Sequence, residues 1–142
     1  MQPTSLERVM TVISGAMREA DFPASLHQCG NTVSVLDDTA STDAAILELD
    51  PATSLRQAKE KTRGRAAVLG MVDPANVLER GTPETVAAKS LEANEVLAPG
   101  GGFIQGPGCA LTPETPEENV KILLESAERF GRYNPDGSLK RG

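Results

Sequence analysis

Tryptophan is absent from this chain, and one tyrosine and three phenylalanines bring the aromatics to only 3% of its 142 residues. Base-stacking rings are therefore scarce, and with a net charge of −6 and 14 scattered lysines and arginines there is no phosphate-neutralising surface either. Nucleic acid is excluded as a partner on both grounds. Long apolar runs are also missing, since no stretch approaches the ~20 residues that cross a bilayer, and the N-terminus shows no basic segment leading into an apolar one. A cytoplasmic protein without membrane attachment is expected. Histidine occurs once and cysteine twice, which in that compartment makes free thiols or metal ligands the expectation over a disulfide. A Cys29–Cys109 bridge stays open as the alternative.

What is present is ordinary globular material, 39% hydrophobic and 24% charged. The length fits one domain, in which about 68–70% of the unfolded surface can be hidden. Thr4 and Glu7 form a capping-box pattern, and Leu6, Val9, Met10, Ile13 and Met17 recur at helical spacing until Pro23, predicting an amphipathic helix over 5–20. Residues 25–30 (SLHQCG) read as a short strand, VSVLDDTAS as at most two helical turns, and AAILELD as a buried strand. Two segments then share one layout, AAILELDP at 44–51 and AAVLGMVDP at 66–74: an apolar strand, an aspartate, a proline. Each predicts a strand-to-helix junction, with Asp50 or Asp73 as the N-cap and proline in the first turn. The first of these helices runs through Leu55, Ala58 and Lys61 to Gly64; the second is short and stops at Gly81.

Thr82-Pro83-Glu84 opens a helix through Leu97, Phe103-Ile104-Gln105 forms a fourth strand, and Thr115-Pro116-Glu117-Glu118 predicts a capping box before a last helix. Glu84, Glu117 and Glu118 are read as first-turn charges meeting the helix dipole. Residues 1–132 thus make a single α/β domain, and 133–142 a turn and frayed C-terminal tail. A helix followed by four β/α units predicts a parallel sheet, and the continuous apolar strands suggest cover on both faces. An open doubly wound sheet accommodates this length, whereas a closed eight-stranded α/β barrel typically needs about 250 residues and eight units, twice what this chain has. In either, functional groups gather at the C-terminal ends of the strands.

His27 and Cys29 stand two places apart near the end of the first strand, where i and i+2 share a face. Cys109 lies just beyond the fourth strand, at the same end of the sheet. One imidazole and two thiolates suit zinc and leave a fourth tetrahedral position open, as catalytic zinc sites do. Two thiolates neutralise the ion, so a substrate thiol bound there loses its proton near neutral pH and stays electron-rich. Buried structural cysteines are the competing reading.

LHQCGNT, AAILELDP, VLGMVDPANVLERGTPETV and GGFIQGPGCALTPETPEENVKILLESA resemble the C-terminal half of the uroporphyrinogen decarboxylase family, and within it the methylcobamide:coenzyme M methyltransferase branch. The resemblance covers nearly all of this chain and about half of a family member, and it implies one half of an eight-stranded (β/α)8 TIM barrel. It also implies zinc held by His27, Cys29 and Cys109, since that branch carries an H-x-C pair on one strand and a later cysteine in a G-C loop. The implied activity is methyl transfer from a methyl-corrinoid to a thiol such as coenzyme M. Asn31 and Asp73 become candidates for orienting ligands or substrate, and an arginine or lysine is expected for the sulfonate. The decarboxylase branch, which uses no metal, implies instead a porphyrin-metabolism protein; a non-catalytic assembly subunit is the further alternative. Met71 stands where the family usually has asparagine, implying a lost polar group at the barrel mouth, and Gln28 is expected to face the helices. A half barrel exposes strand edges, so a homodimer or a separate chain equivalent to the N-terminal half is expected as partner.

Overall fold

The computed structural model describes residues 4–20 and 22–140; the ends of the predicted domain and tail, at 1–3 and 141–142, lie outside them. The chain opens with helix α1 (Ser5–Glu19), whose N-terminus carries the predicted box: Thr4 accepts from the Glu7 N–H, and the Glu7 carboxylate accepts from the Thr4 N–H. Strands β1 (Ser25–Gln28), β2 (Ile46–Leu49), β3 (Ala67–Val72) and β4 (Phe103–Pro107) follow. Between and after them lie α2 (Leu36–Thr39), α3 (Leu55–Thr62), a wide helical turn at Pro74–Glu79, α4 (Pro83–Leu97) and α5 (Glu117–Phe130).

The strands pair in parallel in the order β1-β2-β3-β4. Right-handed crossovers in unbroken sequence order put every connecting helix on one face. A doubly wound sheet needs a reversal of strand order, and none occurs here, so that architecture is excluded. Among the described residues, helices cover one face of the sheet. Leu26, Leu47, Leu49, Val68 and Phe103 pack toward the helices, whereas the row His27, Glu48, Leu69 and Ile104 shares the opposite face and is exposed or half-buried. Gln28 turns toward the helices as expected, with a buried side-chain oxygen that has no hydrogen-bond partner among the described residues.

One apolar cluster, centred on Leu36, Leu47, Leu49, Val68 and Leu97, lies between β1–β3 and α2–α4; a second joins Val72, Leu78, Val86 and Leu123 under α4 and α5. Two polar side chains stitch the helices to the loops. Lys59 donates through Nζ to the carbonyls of Leu97 and Gly101 at the end of α4, and Asn119 donates to those of Leu78 and Gly81. Each satisfies carbonyls that a helix terminus leaves without partners.

Four local expectations are corrected. Ser54, not Asp50, caps α3, because Asp50 spends its Oδ1 on the Ala52 N–H and its carbonyl on Thr53, forming a turn around Pro51 before the helix can begin. Thr115 does not cap α5: Pro116 is the N-cap residue, without a side-chain hydrogen bond, and the Thr115 hydroxyl meets that of Thr112 at 3.4 Å. Residues 133–139 close on themselves rather than fray, with Tyr133 bridged to Leu139 and its hydroxyl donating to the Ala98 carbonyl. Met71 is buried in the main cluster at 5% exposure, so its side chain fills the core and not the mouth of a barrel. Glu84, Glu117 and Glu118 do lie in first turns.

Asp73 behaves as predicted. Its Oδ1 accepts from the backbone N–H groups of Ala75 and Asn76, and its Oδ2 from the Asn76 side chain. Pro74 follows as the first helical residue, and i→i+5 bonds from Leu78 to Asp73 and from Arg80 to Ala75 widen the turn. Burial raises the Asp73 pKa, but the Asn76 and Ala75 hydrogen bonds outweigh it and hold the carboxyl below its usual range. A lowered folded pKa contributes stability above the unfolded value near 3.9 and loses it as pH falls through the folded one.

Asp73→Ala is expected to cost about 1 kcal/mol in urea unfolding at pH 7, with the gap from wild type closing as pH drops below about 4. An unchanged gap in acid would remove the carboxylate's role. Leu47→Ala, at a side chain with 0% exposure, is expected to cost about 2–5 kcal/mol in the same assay.

Candidate metal centre

His27 is the third residue of β1, and Cys29 follows one residue past its end. The ladder continues there, because the Asp50 N–H donates to the Gln28 carbonyl, so the extended backbone keeps His27 and Cys29 on one face. Behind Cys29 the chain turns at Gly30, whose carbonyl accepts from Thr53 Oγ1. That hydroxyl also meets Thr32, at 3.0 Å from its Oγ1, and the buried knot pins the β1 loop to the β2 loop.

Cys109 comes from the far edge of the sheet, and glycine explains how it arrives. The Gly108 N–H donates to the Val72 carbonyl, turning the chain back over the ends of β3 and β2. A Cβ on Gly108 would stand 2.4 Å from Pro51 Cδ and 3.0 Å from the Leu49 carbonyl oxygen, so only glycine permits the crossing. Gly70 permits the strand beneath it: its φ is +105°, and a Cβ there would meet the Pro107 oxygen at 2.8 Å.

The three side chains converge. His27 Nε2 lies 2.9 Å from Cys29 Sγ and 3.8 Å from Cys109 Sγ, and the two sulfurs are 3.7 Å apart. Both thiols are free, and their separation is far beyond the ~2.05 Å of a disulfide. A tetrahedral ion with bonds of about 2.3 Å to sulfur and 2.0–2.1 Å to nitrogen needs edges of roughly 3.8 Å between sulfurs and 3.6 Å from nitrogen to sulfur. The two edges to Cys109 match, and the His27–Cys29 edge is the tighter one. Among the described residues this is the group of three or more His, Cys, Asp or Glu side chains whose ligand atoms gather closely enough to hold a metal ion.

Glu48 was not anticipated. It pairs in register with His27 across β1 and β2, and its Oε2 lies 3.0 Å from His27 Nδ1. The alternation of ILEL, with Leu47 and Leu49 buried, was the available signal: it sends Glu48 to the same face as His27. Reading the segment as uniformly buried hid it. The hydrogen-bonded Cys109 thiol holds the Cys29 thiol above its ordinary range, and desolvation and the charges of Asp50 and Glu48 push in the same direction. A metal ion must therefore displace a proton to bind.

The remaining candidates sit beside the site and are engaged locally. Asn31 accepts the Val33 N–H through Oδ1, closing an exposed turn, and Asp73 caps the turn after β3.

Comparison with known proteins assigns the chain to a family. Residues 4–130 match the model of the uroporphyrinogen decarboxylase (URO-D) family. The methylcobamide:CoM methyltransferase MtbA of Methanosarcina acetivorans is 33% identical over 118 residues, 83% of this chain and 33% of that protein. A uroporphyrinogen decarboxylase of Coxiella burnetii is 29% identical over 101 residues, covering 71% of this chain and 27% of its own length. The solved structure of a methyltransferase from Methanosarcina mazei superposes with a TM-score of 0.78 at 27% identity, covering 88% of this chain and 37% of that one. The chain spans about a third of the length of these relatives, and its four strands match part of the family's barrel. No helix among the described residues is long and apolar enough to cross a membrane. By its sequence and by its strand order, the chain belongs to the uroporphyrinogen decarboxylase family.

Proposed function

We propose that this chain carries the zinc site of a methyltransferase that moves a methyl group from a methylated corrinoid to a thiol such as coenzyme M. The observation that supports this over decarboxylation is the convergence of His27, Cys29 and Cys109 with one side of the group left open. A soft donor set of one imidazole and two thiolates fits zinc. Zinc bound there supplies Lewis acidity that makes a substrate thiol ionise near neutral pH.

The protein's own contribution is placement. The Thr32–Thr53 knot and the Gly108 crossing hold the three donors on the rim of the sheet, where a thiol would enter from the open side. In the transfer, the carbon–cobalt bond breaks with its electron pair staying on cobalt, a sulfur–carbon bond forms, and the thiol proton leaves to water. Orientation of sulfur, methyl carbon and cobalt in line is the main demand of such a displacement.

The open face and the free edges of β1 and β4 support a second part of the proposal: further strands close the barrel. Exposed Ile104 and half-buried Leu69 and Ile46 lie on that face, an apolar surface that parallel sheets keep covered. A second copy or a separate chain carrying the rest of the family fold would supply the cover.

Zinc content after native purification is expected at about one ion per chain, falling below a tenth for Cys29→Ser. Methylcobalamin with coenzyme M, followed at the corrinoid absorbance bands, is expected to report demethylation by wild type only. Zinc-loaded protein without turnover would favour the assembly-subunit reading, and zinc-free wild type would overturn the proposal. Mass in solution decides the cover: a doubled mass identifies a second copy, and a monomer that turns over only with another chain identifies the separate partner.

A further inference from the structure

We infer that Glu48 is a positioning residue for His27, fixing the imidazole in the tautomer and orientation that present Nε2 to the metal. This deepens the zinc reading above and rests on it. The β1–β2 register sets Glu48 directly opposite His27, and parallel strands in register project paired side chains from the same face. The Glu48 Oε2 lies 3.0 Å from Nδ1, while Nε2 on the other edge of the ring points at the two sulfurs. The carboxylate therefore stands behind the ring and outside the group of ligand atoms.

Chemistry assigns the proton. An ionised carboxylate only accepts, so Nδ1 carries the hydrogen and the neutral ring keeps its Nε2 lone pair for a metal. Without that acceptor the ring is poorly fixed: its χ2 torsion is broad and roughly two-fold, and His27 is 39% exposed on a face with no helix over it. A half-turn of the ring would send the other nitrogen toward the sulfurs. The carboxylate removes this degeneracy and makes the imidazole a better electron donor. A partly buried carboxylate on an otherwise apolar strand (ILEL) is also costly unless it is paired, and His27 is its partner.

The test is zinc affinity by chelator competition on wild type, Glu48→Gln and Glu48→Ala, each with and without His27→Ala, alongside melting of the metal-free proteins. Glu48→Ala is expected to weaken zinc binding about 10–100-fold. Glu48→Gln should recover most of the loss, because the amide oxygen still accepts from Nδ1. In the His27→Ala background the Glu48 effect should vanish, since the two act as one unit. Metal-free melting should be unmoved for Glu48→Gln, and cobalt-substituted protein should show weaker tetrahedral d–d absorption for Glu48→Ala than for Glu48→Gln. Glu48→Ala within about threefold of wild type, or an equal loss without His27, would overturn the inference while leaving the zinc site intact. Wild type that binds no zinc would overturn both.

Discussion

The contact between Gly108 and the turn around Pro51 governs the rest of the site. Four parallel strands at about 4.8 Å spacing put the first and last some 14 Å apart, too far for Cys29 and Cys109 to meet by lying at their own strand ends. The backbone after β4 has to cross the sheet, and it does so pressed against the Leu49 carbonyl and the Pro51 ring with no room for a side chain. The turn that Asp50 builds around Pro51 provides the surface to press on, which is why α3 starts late, at Ser54. Helix initiation and ligand placement are in this way one constraint.

The sheet has two different faces because its strands follow one another without reversal. Helices gather on one side and take Leu47, Leu49 and Val68 out of water. The other side keeps a row that mixes function with exposure: His27 and Glu48 in hydrogen-bonded contact, then Leu69 and Ile104. Such a face suits the interior of a barrel, where a polar pair at the rim sits over apolar layers. Net charge at the rim is negative before any metal arrives, with Glu48 and Asp50 both opposing ionisation of Cys29. A divalent cation placed there would relieve that repulsion and would meet donors already gathered.

Backbone strain lies close to the same place. Met71 has a φ of +73°, the one non-glycine residue with positive φ among those described, directly after Gly70 at +105°. A left-handed residue with a long side chain costs on the order of 1 kcal/mol, and burial of the Met71 side chain in the main cluster offsets it. Asparagine tolerates that conformation more easily. The buried Gln28 oxygen without a partner is a second local cost, one residue from each of two ligands.

Much of this was legible in the one-dimensional pattern. The Thr4–Glu7 box, the Asp73-Pro74 junction, the helix from Pro83 and the four strands follow from capping chemistry and hydrophobic period, which act over a few residues. His27 and Cys29 were legible as a pair for the same reason, since i and i+2 on a strand share a face. What tertiary structure alone decided depends on groups distant in the chain. Asp50 and Thr115 carry capping-type side chains, and the pattern alone does not say whether such a residue caps a helix or closes a turn. Strand order, and with it the uncovered face, is set by how crossovers pack and not by the strands themselves. Glu48 acquired its meaning only when register placed it opposite His27, and Cys109, already a candidate ligand in the sequence, reaches the pair because a glycine lets the chain cross the sheet; sequence determined which donors exist, and packing determined that they meet.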